Sequence, residues 1–79
     1  MTEQERQARA IRAKQFLDDA IYSEAIEAVE RESYEALLKA KDDQTRREYI
    51  DRINVIRELR ARIAAWVADG RVRQQPGIA

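Results

Sequence analysis

Residues 20–40, AIYSEAIEAVERESYEALLKA, and residues 45–70, TRREYIDRINVIRELRARIAAWVADG, decide the fold. In the first, Tyr22, Ala25, Ile26, Val29, Ser33, Ala36, Leu37 and Ala40 recur at three- and four-residue steps. That is the spacing of one face of an α-helix. In the second, Tyr49, Ile50, Ile53, Ile56, Leu59, Ile63, Trp66 and Val67 form a similar stripe. Each helix would be roughly 33–40 Å long. Only the Asp42-Asp43-Gln44-Thr45 turn separates them. A turn that short makes the two helices antiparallel neighbours.

The helix ends have their own signals. Thr45-Arg46-Arg47-Glu48 matches a capping box, with Asp43 as the competing cap. Gly70 is expected to stop the last helix. Upstream, Thr2-Glu3-Gln4-Glu5 is a second capping box, opening a polar helix to about Phe16. The apolar content of that helix is thin, so an arm is expected that packs by its C-terminal end. Asp18 or Asp19 can cap the following helix, which predicts a bend there and three helices; the alternative is a helix that runs straight through, which leaves two. The chain thus divides into an N-terminal helical arm over 1–17, a helical hairpin over 18–70 and a flexible tail over 71–79. The fold class is all-α, an antiparallel helical hairpin with a bent N-terminal arm.

Two helices alone cannot cover two wide apolar stripes, and a chain of 79 residues sits near the lower limit for a self-sufficient core. Either the arm folds over the pair as a third helix, or oligomerisation completes the fold. The candidate core or interface residues are Tyr22, Ile26, Val29, Leu37, Tyr49, Ile53, Ile56, Leu59, Ile63, Trp66 and Val67. Trp66 is the candidate anchor of an interface.

Composition excludes much chemistry. Cys and His are absent. Disulfides, thiolate or imidazole metal sites and the usual catalytic triads therefore cannot form. Paired carboxylates such as Glu24/Glu27 and Glu32/Glu35 read as a solvated outer face. The two glycines, Gly70 and Gly77, make no phosphate loop. Neither a catalytic role nor a cofactor is expected. No segment approaches the roughly 20 apolar residues of a membrane span, and the default location is cytoplasmic.

Fifteen basic and fifteen acidic residues cancel, but in blocks. Residues 1–17 hold four bases and two acids, residues 18–43 three bases and nine acids, and residues 44–79 eight bases and four acids. Neighbouring helices of opposite sign would neutralise one another. The alternative is a basic surface for nucleic acid, with Arg6, Arg9, Arg12, Arg46, Arg47, Arg71 and Arg73 as candidate contacts.

The segment from Ala13 to Arg71 carries a Phe-Leu-Asp-Asp joint, an Ala/Glu-rich helix with Tyr34, an Asp-Asp-Gln-Thr turn followed by Arg-Glu-Tyr, and an Ile/Leu helix ending in Gly-Arg. In this outline it resembles a group of short helical proteins from head-morphogenesis and DNA-packaging gene clusters of tailed phages and prophages. The resemblance implies a small accessory or structural protein, acting in the host cytoplasm or the virion. Three functions follow as expectations. The first is a non-enzymatic helical assembly protein whose partner is a second copy of itself, or another phage or host protein. The second is a nucleic-acid-associated packaging or regulatory factor using the arm and tail arginines. The third is a small inhibitor that docks on a host enzyme through the acidic helix.

Overall fold

The computed structural model describes the backbone of residues 1–74 and the side chains of residues 1–70. It holds three helices, α1 (Glu3–Asp18), α2 (Ala20–Lys39) and α3 (Asp43–Gln74). No strand occurs among the described residues.

Each break between helices is a local capping event. The Thr2 hydroxyl accepts from the Glu5 amide at 3.1 Å, and the Glu5 carboxylate accepts from the Thr2 amide at 2.9 Å. This reciprocal pair is the capping box read from the sequence. The Thr2 hydrogen bonds hold the Glu5 carboxyl below its usual range. At the joint, Asp19 leaves helical geometry with ψ near 119°, and its carboxylate accepts from the Tyr22 amide at 2.9 Å. Asp19 therefore ends α1 and caps α2 in one residue. The predicted bend is present, and α1 runs to Asp18 instead of Phe16.

The third cap differs from expectation. Neither Thr45 nor Asp43 caps α3. Asp42 does, accepting from the Thr45 amide at 2.8 Å and from its hydroxyl at 2.9 Å. Those bonds lower the Asp42 carboxyl below its usual range. A carboxylate offers two acceptor oxygens, and Asp42 uses both. Thr45, with one oxygen, becomes the donor.

Contacts along α3 show how the three helices are laid out. Ala10 of α1 meets Gly70 of α3. Ala13, Leu17 and Tyr22 pack with Ile63 and Val67. Further along, Glu30 pairs with Arg60, and Tyr34 with Arg57. Leu37 lines a hollow with Ile50 and Ile53. As residue numbers rise along α1 and α2, their partners on α3 fall. Both helices are antiparallel to α3 and lie end to end against it. The protein is a hairpin with one unbroken leg of 32 residues and one leg broken at Asp19 into 16 and 20.

This layout answers where the arm lies. The arm does not fold over the α2–α3 pair as a third layer; it lengthens the hairpin. The molecule measures 57 × 24 × 22 Å, with a radius of gyration of 17.0 Å. A compact chain of this size would have about 12 Å. Nor does α1 pack only by its C-terminal end, since its buried residues are Ala10 and Ala13. Small side chains give α1 little apolar bulk, but they let it approach α3 closely.

The seam of α3 steps through Tyr49, Ile53, Ile56, Arg60, Ile63, Val67 and Gly70, all buried or half-buried. The steps alternate between four and three, the heptad spacing of paired helices. Gly70 therefore belongs to the seam and does not stop the helix. It has no positive φ, and α3 continues four residues beyond it. The flexible tail expected over 71–79 thus begins with residues of α3, and 75–79 lie outside the described residues.

On the opposite leg the seam takes Ile26, Glu30, Ser33, Leu37 and Ala40. Ser33 is the most buried side chain, at 1% exposure, and its hydroxyl donates to the Val29 carbonyl at 2.7 Å. That bond satisfies a polar group which would otherwise be costly to bury. Glu30 departs from the expectation that the glutamates face outward. Its carboxylate lies 2.8 Å from the Arg60 guanidinium, a polar layer between apolar ones.

Candidate interaction surface

The seam has two lips, and they differ in chemistry. One lip is laced by polar contacts between the legs. Arg60 donates to Glu30 and the Arg57 guanidinium donates to the Tyr34 hydroxyl, while within the broken leg the Ser23 hydroxyl donates to the Leu17 carbonyl at 3.3 Å. The other lip follows from helix geometry. One residue back from Glu30 and from Arg60, a helix turns about 100°. Val29 and Leu59 therefore fall on the lip opposite the ion pair.

Along α2 that lip carries Ala25, Val29, Glu32 and Ala36, at steps of four, three and four. Along α3 it carries Val55, Leu59, Arg62 and Trp66, at the same steps. Val29 is 42% exposed, Leu59 44% and Val55 64%. Ala25, Val29, Ala36, Leu59 and Trp66 are what remains here of the wide stripes after one edge of each has entered the seam; Glu32, Val55 and Arg62 lie outside those stripes. Val29 and Leu59 are consequently not core residues. Tyr22, Ile26, Leu37, Tyr49 and Trp66 are half-buried, while Ile53, Ile56, Ile63 and Val67 are buried.

At the α1 end the same lip opens into a cleft of about 190 Å³ lined by Arg9, Arg12, Ala13, Phe16, Ile63 and Trp66. The Arg9 guanidinium carbon stands 4.6 Å from the centre of the Trp66 ring. This cation–π contact ties α1 to α3. Trp66 also packs against the buried cluster of Ala13, Ile63 and Val67. The Phe16 and Tyr22 rings meet edge to face at 4.2 Å across the Asp19 joint. The sequence offered no sign of the Arg9–Trp66 pair, because the two residues are 57 positions apart in the chain with nothing local linking them.

The candidate nucleic-acid arginines do not form one patch. Arg46 and Arg47 start α3, where Arg46 pairs with Asp43 at 2.6 Å. Arg6, Arg9 and Arg12 lie at the other end of the 57 Å molecule. There the backbone of Arg71 and Arg73 continues α3 past the Ala10 contact, alongside the first half of α1. Side chains of Arg71 and Arg73 lie outside the described residues.

Among the described residues, no group of three or more His, Cys, Asp or Glu is placed to hold a metal ion. No described helix is long and apolar enough to cross a membrane. No protein-family model matches the chain, and neither a curated protein nor a solved structure matches it.

Proposed function

We propose that the protein is a non-enzymatic helical assembly module that acts through self-association. One observation carries this reading: the hairpin has a single seam among the described residues, and the arm extends it instead of covering it, so the Val29–Leu59 lip is covered by none of the described residues. Its two rows, Ala25–Ala36 and Val55–Trp66, each run about 17 Å along their helix, and they set six uncharged side chains around Glu32 and Arg62. The resemblance to phage head-morphogenesis proteins suits the same role, an accessory or structural component that works by packing against other chains.

Light scattering across a concentration series tests it. A discrete oligomer is expected at about 0.1 M and at about 1 M salt, because an apolar interface survives the screening that removes surface electrostatics. Leu59→Glu is expected to give a monomer with unchanged helicity by circular dichroism, since Leu59 lies outside the seam. A monomeric wild-type protein at all concentrations would sink the reading.

A second reading is supported by the basic end, where the backbone of α3 at Arg71 and Arg73 continues alongside the arm that carries Arg6, Arg9 and Arg12. Nucleic-acid binding there would weaken steeply with salt, and a monomer with that behaviour would replace the first reading.

A further inference from the structure

We infer that the occupant of the exposed lip is a second copy placed so that its α3 lies on this copy's α2, related by a two-fold axis parallel to the helices. The result is a four-helix bundle in which every neighbouring pair is antiparallel. This rests on the self-association reading and adds which helix meets which.

The argument comes from the two rows. Both legs present a position, four residues, three, four again, and in both rows the third position is the charged one. It is Glu32 on α2 and Arg62 on α3. Arg62 already meets Glu58 at 3.5 Å, but both side chains are more than half exposed, and such surface pairs contribute little. Two face-to-face packings of the hairpin are compatible with two-fold symmetry. In one, α2 lies on α2 and α3 on α3. Glu32 then approaches the partner's Glu32, and Arg62 the partner's Arg62, across an otherwise apolar contact. In the other, α2 lies on the partner's α3.

The register within one chain, fixed by Glu30–Arg60 and Tyr34–Arg57, is reproduced between copies by an axis parallel to the helices. Val29 is then level with the gap between the partner's Leu59 and the partner's Arg62. Glu32 is level with the gap between the partner's Val55 and the partner's Leu59. The rows interleave, and Glu32 lies within one helical turn of the partner's Arg62.

The helices as a whole favour the same packing. Between Ala20 and Lys39, α2 has five acids (Glu24, Glu27, Glu30, Glu32, Glu35) against two bases (Arg31, Lys39). Over residues 43–70, before it continues alongside the first half of α1, α3 has six arginines against five acids. Placing α2 on α2 sets like net charges side by side at both contacts. Placing α2 on α3 sets opposite ones together, and such complementarity selects orientation.

The absence of cysteine makes the test direct. Val29→Cys and Leu59→Cys are made as separate single variants, each checked for native helicity, and oxidised alone and after mixing. The mixed sample is expected to form the Val29→Cys/Leu59→Cys cross-link as its main product. Dominant Val29→Cys or Leu59→Cys homodimer cross-links would overturn the inference and establish like-on-like packing. A dimer by mass that cross-links in none of the samples would also overturn it. A monomer by light scattering would remove the self-association reading itself. As a second measurement, Glu32→Arg should weaken dimerisation by about tenfold or more, and adding Arg62→Glu should restore it. Failure of that rescue counts against α2-on-α3 packing even if every variant remains a dimer.

Discussion

Gly70→Ala is expected to destabilise the protein by about 1–3 kcal/mol, the usual cost of forcing a methyl group into a filled contact. The sign is the reverse of the local expectation. Inside a helix alanine is favoured over glycine by about 1 kcal/mol, and Gly70 has an ordinary φ that alanine can adopt. The tertiary contact overrides that preference. A Cβ built at Gly70 would stand 2.2 Å from the Ala10 Cβ, and the atom it meets is a methyl carbon fixed to the α1 backbone. No flexible side chain can yield, so α1 must move away from α3. The loss should fall first on α1, because α2 contacts α3 elsewhere.

The compensating change is specific. With Ala10→Gly in place the next atom is the Ala10 Cα, at 3.7 Å, an ordinary contact. The Ala10→Gly/Gly70→Ala double variant should regain most of the stability lost in Gly70→Ala, a coupling that only residues in contact show. Urea midpoints of the four proteins measure this. A Gly70→Ala protein as stable as wild type, or a double variant no better than the single, would mean that α1 does not sit on Gly70.

Ile63→Asp should leave the chain largely unfolded at 25 °C. Ile63 is 7% exposed at the centre of the cluster where Ala13, Leu17, Tyr22, Trp66 and Val67 meet, so all three helices lean on it. Removing a buried aliphatic side chain costs about 2–5 kcal/mol, and an unpaired carboxylate in its place adds a desolvation penalty. Arg60, one turn away, already serves Glu30. A chain of this size has about 4–12 kcal/mol of total stability. Leu59→Asp is the matched comparison. It puts the same charge one turn earlier on the same helix, at a position 44% exposed, and should keep native helicity. If circular dichroism finds the two variants equally folded, the seam does not run through Ile63.

Much of the architecture is local information. The capping box of Thr2 and Glu5 and the carboxylate of Asp19 act on amides three residues away, so the start of α1 and the bend are written in adjacent residues. The paired apolar stripes and the short turn likewise dictate an antiparallel hairpin. The cap of α3 was harder to read, because Asp42, Asp43 and Thr45 all have capping chemistry. What separates them is that Asp42 alone stands where both carboxylate oxygens reach Thr45.

A stripe's periodicity shows that a face is apolar; it does not show which edge of a wide stripe enters the seam. Ile26, Ser33 and Leu37 face inward while Val29, in the same stripe, remains on a lip, because the register that joins Glu30 to Arg60 turns the helix that way. Glu30 looked like one more solvent-facing glutamate, since its partner is 30 residues off. Gly70 looked like a helix stop, since glycine's most frequent use at such a place is to end one. The four-three stepping through Ile63, Val67 and Gly70 was the signal that it belonged to the seam instead. The sequence by itself therefore determined the helical stripes, the cap of α1, a bend at Asp18 or Asp19 and the antiparallel order. Only the tertiary structure decided that α1 continues the hairpin, that Gly70 is a point of close approach to Ala10 and that one apolar lip is left uncovered by the described residues. The reason is that capping and periodicity act within a turn or two of chain, whereas close approach and register depend on atoms brought together from opposite ends of it.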